Sequence, residues 1–289
     1  MYFILKKRTV IIAMTVLLFA LCVPAVIGAF GSNEAVETVA ENTNWGRGFT
    51  EDGKPPTGNA SVADLAKHNA YYIGDTSKNI IYLTFDAGFE NGNTEKILDS
   101  LKKHNVKATF FLVGNYIETS PELVERMVEE GHTIGNHTYS HRSVSTDDIG
   151  KKWTAEEHYE DFKRCQDLVY EMLGIQMKWF RPSGLHTNET VFQATEKLGL
   201  PVVTCSIGTS DWNSSTTKLD IKESVLLNAY DGGIVLMHGW ASNTVAVLDE
   251  ICEELYNDGY RFCTLSELFE FKGIPYDQIP RDRVIQGCS

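Results

Sequence analysis

An α/β fold built on parallel strands is what this sequence predicts, on three observations. Short apolar runs alternate with amphipathic runs of helical spacing along most of the chain. At 289 residues the chain can bury one good-sized core. Its 43% hydrophobic and 22% charged residues are ordinary for a packed globular protein, and fit neither a disordered chain nor a multi-span membrane protein. Strands separated by helices pair in parallel through right-handed crossovers, which leaves an open doubly wound sheet or a (β/α) barrel. No glycine-rich phosphate fingerprint follows the first strand.

In chain order, residues 1–30 read as a signal peptide or an N-terminal membrane anchor. Lys6, Lys7 and Arg8 precede an uncharged stretch over 9–30, the pattern of an export signal. That stretch reaches the roughly 20 residues that span a bilayer. Ile27-Gly28-Ala29 is also a passable cleavage site, so cleavage and retention both stand. Residues 31–60, rich in Asn, Glu, Thr, Gly and Pro, read as a flexible linker in which Trp45 and Phe49 are candidates to dock on the domain. Residues 61–77 form a lead-in segment with a short helix over 62–68, the main domain covers 78–272, and 273–289 is a C-terminal tail. Within the domain, strands are predicted over 80–85, 108–113, 133–136, 179–181, 202–207, 233–237 and 261–264. Helices are predicted over 94–104, 121–130, 155–173, 188–198, 221–229 and 244–258.

A formal net charge of −13, with no basic run after residue 8, argues against a nucleic-acid partner. The acidic surface is read as serving solubility. Cys165, Cys205, Cys252, Cys263 and Cys288 include no CxxC pair, and three of them sit in apolar patterns, so buried thiols and no obligatory disulfide framework are expected.

In parallel folds of this kind functional residues gather at the carboxyl ends of strands, and here those ends are polar. The first strand runs into Thr84-Phe85-Asp86-Ala87-Gly88, where Asp86 suits a catalytic base, although an Asp before Gly can simply turn the chain. The third runs into His137-Thr138-Tyr139-Ser140-His141, two imidazoles able to converge on one divalent cation. The fourth gives Arg181-Pro182-Ser183-Gly184, with a guanidinium suited to holding a carboxylate such as Asp86. Asp211-Trp212 follows the fifth strand and Leu236-Met237-His238 closes the sixth, suggesting an Asp211–His238 pair. An Asp bonded to an imidazole fixes its orientation and raises its pKa, as a general acid requires. Together the five strand ends describe a metal-assisted hydrolase site.

The order TFDxG, HTxxH, RPxG, DW and LMH resembles the polysaccharide deacetylase family (NodB homology, carbohydrate esterase family 4) over roughly residues 78–271. The stretch Thr84 through Gly92, with Tyr71-Tyr72-Ile73-Gly74 upstream, looks like the branch that de-N-acetylates muramic acid of peptidoglycan on the way to spore-cortex muramic δ-lactam. The resemblance implies an irregular (β/α) barrel of about seven parallel strands. It implies Asp86 as the base and His238 as the acid, with Arg181 positioning Asp86 and Asp211 tuning His238. It implies His137 and His141 as ligands of a divalent cation, with Zn favoured. Trp212 and Leu236 would wall the acetyl pocket, and backbone amides near Ser183 would stabilise the oxyanion. The chain departs from the family at Ala87, where the common pattern has a metal-binding acid. A water, Glu90 or Asn91 is then the candidate replacement ligand. The expected protein is an exported monomeric deacetylase of the cell wall acting on peptidoglycan strands. The alternatives are deacetylation of N-acetylglucosamine or another polysaccharide, and a glycan-binding protein that has lost catalysis.

Overall fold

The computed structural model describes residues 54–142 and 152–270. The predicted anchor, most of the linker and the C-terminal tail lie outside these residues. No helix among the described residues is long and apolar enough to cross a membrane.

The elements run α1 (Val62–Lys67), β1 (Ala70–Tyr71), β2 (Ile80–Ala87), α2 (Thr94–Lys103), β3 (Thr109–Leu112), α3 (Gly114–Thr119), α4 (Pro121–Glu129) and β4 (Thr133–Asn136). They continue with α5 (Ala155–Leu173), a 3-10 turn at Ser183–Leu185, α6 (Glu189–Leu198), β5 (Val202–Val203), β6 (Ile207–Gly208), α7 (Lys218–Leu226), β7 (Gly233–His238), α8 (Ser242–Asn257), β8 (Arg261–Phe262) and α9 (Leu265–Glu270). Local chemistry sets the helix ends. Thr154 with Glu157 and Thr217 with Asp220 form capping boxes at the starts of α5 and α7. Gly174 and Gly199 end α5 and α6 in the left-handed conformation that glycine adopts without steric cost.

All strand ladders are parallel. The eight-residue β2 is central, paired with β7 on one side and with β3 and β8 on the other, and β4 extends the sheet beyond β3. A single bridging residue, Phe180, joins Asn136 to Val202, and β1 adds to β5. Alternation along β2 sorts its side chains. Ile81, Leu83, Phe85 and Ala87 pack outward in one cluster with Ile97, Leu98 and Leu101 of α2 and Leu248, Ile251 and Leu255 of α8. Ile80 and Tyr82 face the other way, onto Phe111, Trp179, Val203 and Ile234. Thr84 and Asp86 continue that second row toward the carboxyl end.

The expected parallel α/β architecture is present, with two corrections of detail. The run over 179–181 contributes one bridging residue, Phe180, and not a strand. The run over 202–207 splits into β5 and β6, so the ladder around the strands is interrupted there. The reason is chemical. The carbonyls of Val203 and Thr204 accept from the Arg181 guanidinium at 3.3 and 3.0 Å, and the Ser206 hydroxyl accepts from the Ile234 amide at 3.0 Å. Groups that would extend a ladder are used to satisfy a buried arginine and to splice the run onto β7. Cys165, Cys205 and Cys252 are buried thiols as expected. Cys263 is disulfide-bonded, against expectation. An apolar setting does not distinguish a thiol from a half-cystine.

Candidate active site

The carboxyl ends of β2, β4 and β7 open into a cavity of about 650 Å³ bordered by Asp86, His137, His141, Trp212, Leu236 and His238. Arg181 and Asp211 stand directly behind Asp86 and His238. Ser183 is buried in the wall behind Gly184 and Leu185, which border the cavity in its place.

Asp86 and His238 are register partners across β2 and β7, so the sheet itself places carboxylate and imidazole side by side on one face. Arg181, fully buried, donates from Nη1 to Asp86 Oδ1 at 2.9 Å and to Thr84 Oγ1 at 2.7 Å. Thr84 in turn donates its hydroxyl hydrogen bond to the Val235 carbonyl at 2.6 Å. The guanidinium lies 4.1 Å above the Phe111 ring, which completes its support. Gly135, opposite Phe111 in the ladder, makes room for that ring, because a Cβ there would come within 2.6 Å of it. Burial would raise the Asp86 pKa, but the charge that His137 gains only at acid pH, the standing charges of Arg181 and His238 and the arginine hydrogen bond outweigh it, holding the carboxyl below its usual range.

His238 is held from two directions. Its Nδ1 donates to Asp211 Oδ1 at 2.7 Å and its backbone amide to Asp211 Oδ2 at 2.9 Å, while the Thr244 hydroxyl donates to the same Oδ2 at 2.5 Å. Burial lowers the imidazole pKa, yet the Asp211 hydrogen bond and the charges of Asp86 and Asp211 more than offset it, leaving it raised.

The histidine pair sits on a loop. Asn136 Oδ1 accepts from the Thr138 amide at 2.9 Å, and Thr138 Oγ1 from the His141 amide at 2.9 Å. Asp161 of α5 accepts from the amides of Tyr139 and Ser140 at 3.0 and 3.1 Å. Thr138 and His141 have φ of 69° and 53°, a conformation costly for residues with a side chain, and Leu185 and Ser210 near the same cavity share it. The His137 Nδ1 donates to the Arg181 carbonyl at 2.8 Å, so its Nε2 is unprotonated and lies 3.4 Å from Asp86 Oδ2. Burial pushes the His137 pKa down to about 4, keeping the ring neutral.

A neutral imidazole with its second nitrogen fixed by a carbonyl is the form that ligates metal. The His141 ring centroid is 5.1 Å from that of His137. By chemistry, these two neighbouring imidazoles suit a divalent cation. Among the described residues no three His, Cys, Asp or Glu side chains are grouped to hold an ion. Ala87 is fully buried in the outer core cluster and offers no donor. The two suggested replacements are engaged elsewhere: Glu90 accepts from the Tyr116 hydroxyl at 3.3 Å and from the Gly92 amide, and Asn91 donates to the Trp240 carbonyl at 2.9 Å.

Sequence reasoning missed Thr84, Thr244 and Asp161, which position the groups above, and Tyr139, Phe89 and Trp240, which border the cavity. Tyr139 and Phe89 were inside quoted motifs, but only packing reveals their direction.

The polysaccharide deacetylase family model matches residues 73–203. The peptidoglycan-N-acetylmuramic acid deacetylase PdaA of Bacillus subtilis is 34% identical over 253 residues, covering 86% of this chain and 94% of the relative. The solved structure of Bacillus subtilis PdaA, a family 4 carbohydrate esterase, superposes with a TM-score of 0.73 at 33% identity, covering 79% of this chain and 97% of that one. The peptidoglycan-N-acetylglucosamine deacetylase PgdA of Listeria monocytogenes is 37% identical over 189 residues, 65% of this chain and 38% of the relative.

Proposed function

This chain belongs to the polysaccharide deacetylase family, and from that premise we propose that it hydrolyses the N-acetyl group of N-acetylmuramic acid in peptidoglycan, on the way to muramic δ-lactam in spore cortex. The observation that carries the chemistry is the register pair Asp86–His238, each member backed by its own buried partner.

In this reading the Asp86 carboxylate, ionised and aimed by Arg181, removes a proton from the attacking water. His238, kept protonated by Asp211, delivers a proton to the departing amine, which remains on the sugar. Trp212 and Leu236 contact the acetyl methyl group. Backbone amides in the turn beginning at Ser183 face the developing oxyanion. His137 and His141 would hold a divalent cation, with Zn the best match to two imidazoles. Such an ion would supply Lewis-acid polarisation of the acetamide carbonyl. With two protein donors its affinity is expected to be lower than at a site that adds a carboxylate.

A purely glycan-binding role would leave both buried charge pairs without a task, and their retention favours catalysis. Residues 1–30 export the protein and either leave it or tether it to the membrane, residues 31–60 act as the spacer, and the catalytic domain covers 78–272 as a monomer. The test is to treat peptidoglycan stripped of its peptides with the enzyme, with and without added Zn, digest it and identify the deacetylated sugar by mass spectrometry. Deacetylated muramic acid supports the proposal. Deacetylated glucosamine moves the substrate to the type named for PgdA, and unmodified glycan under every metal condition overturns the enzymatic reading.

A further inference from the structure

We propose that Phe89 and Trp240 form a platform at the mouth of the cavity that takes the apolar face of a pyranose adjacent to the sugar being deacetylated. The inference rests on the glycan-deacetylase reading and adds a sugar subsite to it.

The two residues come from different loops, Phe89 following β2 and Trp240 following β7. Their rings stack at 5.6 Å between centroids and 21° between planes, and both border the cavity. Phe89 is 48% exposed, and with Trp240 it forms a contiguous apolar patch in place of a lone exposed ring. The backbone that carries the indole is held in place. The Trp240 carbonyl accepts from Asn91 Nδ2 at 2.9 Å and Asn93 Nδ2 at 2.7 Å, and Asn93 Nδ2 also reaches Ser242 Oγ at 3.0 Å. Two asparagines of the β2–α2 loop therefore tie one aromatic loop to the other, giving a rigid, half-exposed aromatic surface where preorganisation favours binding.

Its position identifies the occupant. Trp240 lies 5.7 Å from the His238 ring, between it and Phe89. His238 faces the nitrogen that stays with the sugar, so the glycan must run out on the His238 side, while the acetyl group points to Trp212 and Leu236. A chain leaving past His238 meets Trp240 and then Phe89. A pyranose presents axial C–H groups on one face and hydroxyls at its edge, which suits a flat ring with polar neighbours such as Asn115.

The test is equilibrium binding of N-acetylmuramic acid alone and of tetrasaccharide peptidoglycan fragments to the full chain carrying Asp86→Asn, with and without Phe89→Ala or Phe89→Tyr. Phe89→Ala is expected to weaken the tetrasaccharide about tenfold, the scale of one aromatic contact, and the single sugar clearly less, with Phe89→Tyr retaining the preference for length. An unchanged thermal melt separates this from misfolding. Equal weakening of both ligands, or of neither, overturns the platform, as does a Phe89-dependent affinity for free stem peptide in place of glycan. If the parent enzyme releases no acetate from any glycan while the tetrasaccharide still depends on Phe89, the catalytic reading falls and the platform stands.

Discussion

The two walls of the cavity are built differently. On the β2–β7 wall, Asp86 and His238 are placed by six consecutive register partners of a parallel ladder. On the opposite wall, His137 and His141 are placed by a loop with two strained residues, held by side-chain caps from Asn136, Thr138 and Asp161. The proposed acid–base pair thus inherits the rigidity of the sheet, whereas the proposed metal-ligand pair depends on a handful of hydrogen bonds. The contrast teaches that damage to the first wall should change chemistry, and damage to the second should change occupancy and stability.

The largest effect is expected on the strand wall. Asp86→Asn keeps the shape but removes the proposed base, and acetate release should fall by about a thousandfold, with a drop in the thermal melt as well because the buried Arg181 charge loses its partner. On the loop wall, Asp161→Ala leaves the Tyr139 and Ser140 amides without their acceptor. Metal affinity, read by titration of the apo protein, should drop about 10–100-fold, as for other groups that orient metal ligands. Asp161→Asn, which still accepts through its amide oxygen, should lose less. Equal losses in the two variants would break the comparison, because the loop would not then depend on those bonds.

Gly135→Ala probes the joint between the walls. A methyl group there meets Phe111, which underlies Arg181, and overpacking of this kind costs about 1–3 kcal/mol. The melt should drop, with activity falling through misplacement of Asp86. Smallest is a pH effect away from the cavity. Burial holds His132 and His158 down to about 4, below the ordinary 6.5. The unfolded chain binds protons first as pH falls, so their contribution is intact above 6.5 and is lost toward pH 4. His158→Gln should flatten the fall of the melting temperature across that range.

Much of the strand wall was legible in the sequence. Alternating runs and polar residues at their ends located Asp86, Arg181, Asp211 and His238 before any geometry. The supports were not legible, since Thr84 is one polar residue inside an apolar strand, and Asp161 lies on an amphipathic helix where an acid is unremarked. The break between β5 and β6 escaped because Val202 to Ile207 reads as one apolar run, and only the Arg181 guanidinium, bonded to the carbonyls of Val203 and Thr204, explains why the ladder stops after Val203. Glu90 and Asn91 were reasonable ligands by proximity in sequence, but their bonds to Tyr116 and Trp240 tie them elsewhere.

The most direct test of an acid–base pair set by adjacent strands is the pH dependence of kcat/KM for acetate release in the wild type and in Asp211→Asn. Asp86, depressed below the carboxylate range, must be ionised, and His238, raised above 6.5, must be protonated. The wild type should therefore lose activity at low pH as Asp86 protonates, and at high pH as His238 loses its proton. Removing the Asp211 charge should move the alkaline limb to lower pH and leave the acid limb in place. An alkaline limb that stays where it was in Asp211→Asn would contradict the assignment of His238 as the proton donor.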